Sequence, residues 1–341
     1  MIESLTVAEQ QLLIAVSTLQ ERGEAADTAA IDALAEGYFG IYREVCPSAY
    51  GRLVARGLLL CEPGSYALSL VGQPLAARLR AENPRHRYFY DEYFTRCATS
   101  RAHAAFCERV YGRDLCQHGM MDMRQLGKLI DVLGLDAGSR VLELGCGNGL
   151  VAEHISDATR AHVTGIDTSS VGIRQATERT QAKRSRLAFA CGDMRQFDYP
   201  LAAFDTAIAI DTLYYVADLE LFLARLQPAI VPGGQVAAFV SSWVGAQGDR
   251  ASLRPDQTPF ARALCSLGWA YRTWDFSAQE ADHWRLKFQV AAELEADFVA
   301  EGNAFLFHKR FIEAEYHQTY VDCGCVSRYL YLAEVPDART H

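Results

Sequence analysis

At 341 residues, 50% of them hydrophobic and 22% charged, the chain exceeds what one hydrophobic core usually serves and reads as two globular domains, not as a disordered segment. A formal net charge of −9, with no Lys/Arg block to reverse it locally, excludes a general attraction to nucleic acid or anionic lipid and points to a small neutral or cationic partner. No apolar run is long enough to span a bilayer and residues 1–16 lack a basic n-region, so the expectation is a cytoplasmic protein without membrane contact.

Leu5, Ala8, Leu12, Ala15 and Leu19 recur at helical spacing and predict an amphipathic helix ending near Arg22 and Gly23. Two shorter helical patterns follow, about 28–36 and 48–56. Residues 57–62 then lead through Pro63-Gly64-Ser65 into 66–70 as a hairpin. Three helices and a hairpin make a winged-helix-like domain over residues 1–85. Its seven arginines (22, 43, 52, 56, 78, 80 and 85) face ten acidic residues, and the helix placed for recognition offers only Arg52 and Arg56. Phosphate neutralisation needs a denser basic face, so packing is the reading favoured over DNA binding, and dimeric packing of this module would make a homodimer. Residues 86–124 form a helical linker rich in aromatics (Tyr88, Phe89, Tyr90, Tyr93, Phe94, Phe106, Tyr111), core by default and a candidate roof for a ligand.

From 125 to 244 strand and helix patterns alternate. A buried strand at 140–144 breaks into Gly145-Cys146-Gly147-Asn148-Gly149, and a helix follows at once. Such a turn lets the backbone approach a nucleotide-like ligand at a helix N-terminus. A dinucleotide fingerprint wants glycine or alanine where Leu150 stands, which weakens the alternative of a nicotinamide-dependent oxidoreductase. The second strand ends in Asp167, placed to accept two ribose hydroxyls, with Thr168 after it. The third ends in Gly192-Asp193-Met194, an acid beside an apolar wall suited to an adenine amino group. The fourth delivers Asp211 to the same edge, and a fifth follows Pro232-Gly233-Gly234. Polar residues gathered at strand carboxyl ends are where open parallel sheets bind ligands.

These residues resemble the class I methyltransferase family: VLELGCGNG is similar to its first motif, Asp167 to its ribose-binding acid, GDM to its adenine-binding turn and LQPAIVPGGQVAAF to its post-motif, over about residues 118–244. The resemblance implies a Rossmann-like α/β fold, a mostly parallel seven-stranded sheet with helices on both faces, and S-adenosyl-L-methionine as cofactor. It places Gly145, Cys146 and Gly147 at the cofactor's amino-acid end, Asp167 and Thr168 at ribose, and Asp193 and Met194 at adenine, with Asp211 on the same rim. His118, in Gln117-His118-Gly119-Met120, is similar to a segment that covers the cofactor; a helix cap is its alternative reading.

Residues 245–318 read as a helical lid and substrate region, with helical patterns at about 278–300 and 303–318, and residues 319–341 as the closing strand and C-terminus. Arg310, Glu313 and His317 share one helix face and are the candidate catalytic residues, with a solvated ion network as the plainer alternative. The expected activity is methyl transfer to nitrogen or oxygen of a small organic molecule by in-line displacement, for which alignment provides most of the acceleration. Aromatics with interspersed acids give an amine acceptor some weight. A winged-helix regulator sensing a nucleoside is the non-enzymatic alternative. A nucleic-acid methyltransferase is disfavoured, because Asp211-Thr212-Leu213-Tyr214 stands where NPPY would be. The ten cysteines are expected to be mostly small buried residues; Cys323-Gly324-Cys325 is a weak soft-metal signal, and no metal site is assigned.

Overall fold

The computed structural model describes residues 5–21, 23–39, 46–81, 84–245 and 247–336. The chain divides into two compact units, Met1–Arg96 and Cys97–His341.

The first unit holds α1 (Val7–Glu21), α2 (Thr28–Phe39), α3 (Cys46–Ala55), the hairpin β1 (Leu59–Glu62) and β2 (Ser65–Leu68), α4 (Gly72–Ala81) and most of α5 (Pro84–Cys97). The three- and four-residue spacing of α1 turns Leu12, Ala15, Val16 and Leu19 toward Ile31, Leu53, Leu59, Leu68, Leu75 and Leu79 in one apolar core. At the edge of this core Glu9, 2% exposed, accepts a hydrogen bond from Arg52 Nε at 2.7 Å, and Arg56 Nη1 stands 3.8 Å away. Both arginines that a recognition helix would present are therefore turned to a carboxylate of the same unit. Arg22 and Arg43 lie outside the described residues.

The second unit opens with α6 (Arg101–Tyr111) and α7 (Met123–Leu133), each capped at its N-terminus by a side chain (Ser100, Asp122) and at its C-terminus by a left-handed glycine (Gly112, Gly134). There follow β3 (Arg140–Leu144), α8 (Leu150–Thr159), β4 (His162–Asp167), α9 (Ser170–Arg179), β5 (Leu187–Cys191), β6 (Phe204–Ile210), α10 (Leu219–Leu226), β7 (Ile230–Trp243), α11 (Pro259–Ser266), β8 (Tyr271–Asp275), α12 (Ser277–Glu293), α13 (Glu295–Ala300), α14 (Ala304–Asp322) and β9 (Val326–Glu334). The strands form one seven-stranded sheet in the order β5-β4-β3-β6-β7-β9-β8. β3 to β7 pair in parallel, and β9 runs antiparallel between β7 and β8. Two apolar layers cover the sheet: Leu142, Leu144, Ala207, Phe222 and Leu223 pack in one cluster, Val141, Val163, Ile208, Leu126 and Ile155 in another. Alternate residues of each buried strand thus serve opposite faces.

The structure departs from the sequence reading in three places. β8 lies within an aromatic-rich stretch that reads as lid, because Tyr271 and Trp274 are only half-buried on an edge strand and give no alternation. The helical pattern 278–300 is broken at Leu294 into α12 and α13. Cys323 and Cys325 are joined in a disulfide instead of standing as separate small apolar residues: α14 ends at Asp322, and Gly324, at φ 63°, turns the chain so that the two sulfurs meet.

Candidate active site

The carboxyl ends of the parallel strands carry two neighbouring groups of residues. In the first, backbone turns and backbone donors set the positions of a few acidic side chains. After β3 the chain turns through Gly145 at φ 77°, where a side chain is strained, and a Cβ there would stand 2.5 Å from Thr212 Cγ2. Asp167, at the end of β4, is held by two backbone donors: Gly147 N–H reaches Oδ2 and Ser169 N–H reaches Oδ1, each at 2.8 Å. The carboxylate is fixed across the mouth of the glycine turn, with Thr168 beside it. Cys146 is buried at the base of the turn, its sulfur against Gly165 of β4.

Asp193 follows β5 and is gripped by Arg195, whose Nε lies 2.9 Å from Oδ1 and whose Nη2 lies 2.6 Å from Oδ2. Burial pushes this carboxyl up, but the Arg195 side chain and backbone N–H bring it below its usual range. Met194 is buried in the apolar cluster beside Tyr199, whose hydroxyl donates to the Met194 carbonyl at 2.7 Å.

One residue at this rim escaped the sequence reading. Glu143, next to the last residue of β3, is 3% exposed; burial, then the nearby Asp167 charge, pushes its carboxyl up to about 8, and its Oε2 has no hydrogen-bond partner among the described residues. The signal was an acid inside an otherwise apolar strand, which is costly unless something pairs with it.

The second group surrounds a cavity of about 530 Å³. Its lining includes His118, Gly119 and Met120, Asp211 and the 213–219 segment beyond β6, residues 239–243 of β7, Phe260 of α11, Trp284 of α12, and Glu313 and His317 of α14. Glu313 and His317 are thus brought together at the cavity. Arg310 is not among its lining residues: it is 1% exposed, and its guanidinium donates to the carbonyls of Gln117 (2.6 Å) and His118 (3.3 Å). These bonds tie Arg310 to the 117–118 backbone. His118 does not cap α7, whose cap is Asp122, with Oδ1 accepting from Gln125 N–H at 2.8 Å.

Asp211, expected with the cofactor set, also lines the cavity. Its carboxylate accepts from Arg328 Nη1 at 2.6 Å and Nη2 at 3.0 Å and from Met120 N–H at 2.8 Å. A Cβ on Gly119 would lie 2.4 Å from Asp211 Oδ2, so only glycine permits this approach. Arg328, fully buried on β9, also reaches Gln125 and Ser241, and Glu280 stands 3.6 Å away.

Electrostatically the cavity is balanced. Glu313 is pushed up by burial but held down at about 2 by Lys287, His118 and Arg310; Lys287 Nζ, itself buried, lies 3.5 Å from Glu313 Oε2 and 4.0 Å from the centre of the Trp284 ring. His317 stacks on Trp284 with ring centres 4.2 Å apart. Burial lowers His317 to about 4 and His118 to about 3, so both imidazoles are neutral at physiological pH. His317 Nδ1 and Trp243 Nε1 are buried without a hydrogen-bond partner among the described residues.

Residues 141–234 match the methyltransferase domain family. The chain is 29% identical over 169 residues to the 27-O-demethylrifamycin SV methyltransferase of Amycolatopsis mediterranei, a match covering 45% of this chain and 62% of that protein, so it spans less than two thirds of this relative. Among solved structures, the [4+2]-cyclase SpnF aligns with TM-score 0.56 and 20% identity, over 74% of this chain and 95% of that one. Phosphoethanolamine N-methyltransferase 2 of Haemonchus contortus, in complex with phosphomonomethylethanolamine and S-adenosylhomocysteine, aligns with TM-score 0.57 and 16% identity, over 72% and 60%. Both structural likenesses concern the fold.

Proposed function

We infer, for a chain whose core belongs to the class I S-adenosylmethionine-dependent methyltransferases, that the protein methylates a hydroxyl group of a small, largely apolar molecule bound in the cavity. The observation that carries this reading is the charge balance of the cavity wall. Its two carboxylates are already paired, Glu313 with Lys287 and Asp211 with Arg328, while His118 and His317 are neutral. A cationic amine would find no uncompensated carboxylate among the described lining residues, whereas a neutral hydroxyl finds imidazole acceptors between aromatic faces.

The rim fits the cofactor on its own chemistry. Glu143 carries a buried oxygen without a partner, which an ammonium group would satisfy; Asp167 is fixed by backbone donors so that it can accept ribose hydroxyls; Gly145, Cys146 and Gly147 leave no side chain above the turn. Thr168, Asp193 and Met194 complete the adenosine side in this proposal. S-adenosylmethionine supplies, when bound, a methyl group on a positively charged sulfur. The chain's own task is to align the acceptor oxygen, exclude water and take its proton. As that oxygen gains a bond to carbon its proton becomes strongly acidic, so an imidazole with a pKa near 4 is basic enough to accept it. We assign that role to His317, with Glu313 one helical turn away to orient and stabilise the imidazolium. Arg310 is a positioning residue acting through the 117–118 carbonyls.

For residues 1–85 we propose a winged-helix-like packing module that supports a homodimer and binds no nucleic acid; the three helices before a hairpin favour the first statement, and the Glu9 pairing of Arg52 and Arg56 the last. No helix among the described residues is long and apolar enough to cross a membrane. The test is calorimetry of the full chain with S-adenosylhomocysteine, followed by mass-spectrometric detection of label from methyl-deuterated cofactor on matched apolar alcohols, phenols and amines. Label on the amines alone would overturn the hydroxyl assignment.

A further inference from the structure

Four donors suited to a soft cation meet at the start of the second unit, in front of the segment that leads to His118. Cys97 ends α5, His103 and Cys107 stand four apart on one face of α6, and Cys116 follows that helix. The donor atoms of Cys97, His103 and Cys116 lie within 4.8 Å of one another, as do those of His103, Cys107 and Asp114. Cys107 Sγ is 3.8 Å from both ring nitrogens of His103. His103, Cys107 and Cys116 are all buried.

Two features mark the cluster as built. Cys116 sits at φ 53°, in the left-handed region that a cysteine rarely adopts, and is held there by Asp114 Oδ1, which accepts its N–H at 2.9 Å. Arg310 brings a buried positive charge against the cluster, its Nη2 2.9 Å from His103 Nε2. Three thiolates and a neutral imidazole around a divalent ion carry a net charge of −1, and Arg310 balances it.

We propose that Cys97, Cys107, Cys116 and His103 form a tetrahedral structural site for a divalent soft cation of the zinc class. This site ties Cys97 and α6 to the loop that runs into the cavity wall. Binding replaces three S–H bonds by three metal–thiolate bonds and releases three protons to solvent. The His103 lone pair now directed at Arg310 passes to the cation, and Arg310 keeps its bonds to the Gln117 and His118 carbonyls. Tetrahedral zinc–thiolate and zinc–imidazole bonds of about 2.3 and 2.0 Å put donors about 3.5–3.8 Å apart, so the cluster contracts by roughly an ångström. Cys323 and Cys325, joined to each other, take no part.

The test uses the full chain and does not involve methyl transfer, so it fails separately from the proposed function. Protein purified from zinc-supplemented medium is expected to contain one zinc per chain by elemental analysis. Its cobalt-substituted form is expected to show the red d–d bands of a tetrahedral site and a near-ultraviolet thiolate-to-cobalt band. Cys107→Ser and Cys116→Ser should each lower metal content at least tenfold, while Cys61→Ser and Cys265→Ser, at exposed positions, should leave it unchanged. Should the serine variants not fold, the cobalt spectrum of the unaltered chain decides. A folded chain that takes up no cobalt, or whose cobalt spectrum lacks the thiolate band, overturns the proposal, as does metal content indifferent to both serine changes.

Discussion

The two halves of the strand rim are assembled in opposite ways. On the cofactor side, Gly145 N–H donates to the Ile166 carbonyl, and the N–H groups of Gly147 and Ser169 donate to the Asp167 carboxylate, so the site is a consequence of local chain geometry around two βα turns. On the cavity side, Asp211, Arg328, Lys287 and Glu313 meet across long stretches of sequence, and each charge is answered by a side chain from another element. A site made of backbone tolerates little local change, whereas a site made of balanced charges can be altered one member at a time.

The sharpest break of this contrast is Gly145→Val. Its Cβ meets Thr212 at a left-handed backbone position, and S-adenosylhomocysteine binding by calorimetry is expected to fall below detection. If the variant binds normally, the cofactor side is not set by backbone shape. His317→Ala should leave that binding unchanged and lower kcat by about 10²-fold, the lower end of the range for removing a general base; equal losses of cofactor affinity and kcat would mean that the two halves are one site. Asp167→Asn keeps the acceptor shape but removes the charge, and a loss of about 1.5 kcal/mol, roughly tenfold in cofactor affinity, is expected.

Glu143 gives a pH test confined to the cofactor side. Its carboxyl is protonated below about 8, and pairing with an ammonium group requires the ionised form, so affinity for S-adenosylhomocysteine should rise with pH up to about 8 with proton release. Glu143→Gln should flatten that dependence.

The smallest effect belongs to the cavity. His118 and His317 titrate near 3 and 4 in the fold, below the usual 6.5, so the unfolded chain binds their protons first. Their contribution to stability is complete above pH 6.5 and is lost as the pH falls from there toward 4. The melting temperature should drop by a few degrees between pH 6.5 and 5, and less in His317→Phe.

The sheet, the glycine turn and the acids at the ends of β4 and β5 were legible because each rests on neighbouring residues: apolar runs of strand length, glycine where φ is positive, and a carboxylate at a predicted strand end. Glu313 and His317 shared a face because they are four apart, and the same reasoning placed Arg310 beside them. It could not tell that Arg310 points away to carbonyls almost 200 residues earlier. Nor could spacing show that Asp211 is paired with Arg328, which lies 117 residues further along the chain.

What this amino-acid sequence determined by itself was therefore local backbone: the order of strands and helices from β3 to β7, the glycine turn after β3, and which residues reach the carboxyl rim. Periodicity and backbone freedom are properties of short stretches, and they survive being read one stretch at a time. The partners of the charged side chains, Asp211 with Arg328, Glu313 with Lys287 and Glu9 with Arg52, were decided only by the tertiary structure. A buried charge must find its counter-charge wherever packing brings one, and sequence distance carries no record of that.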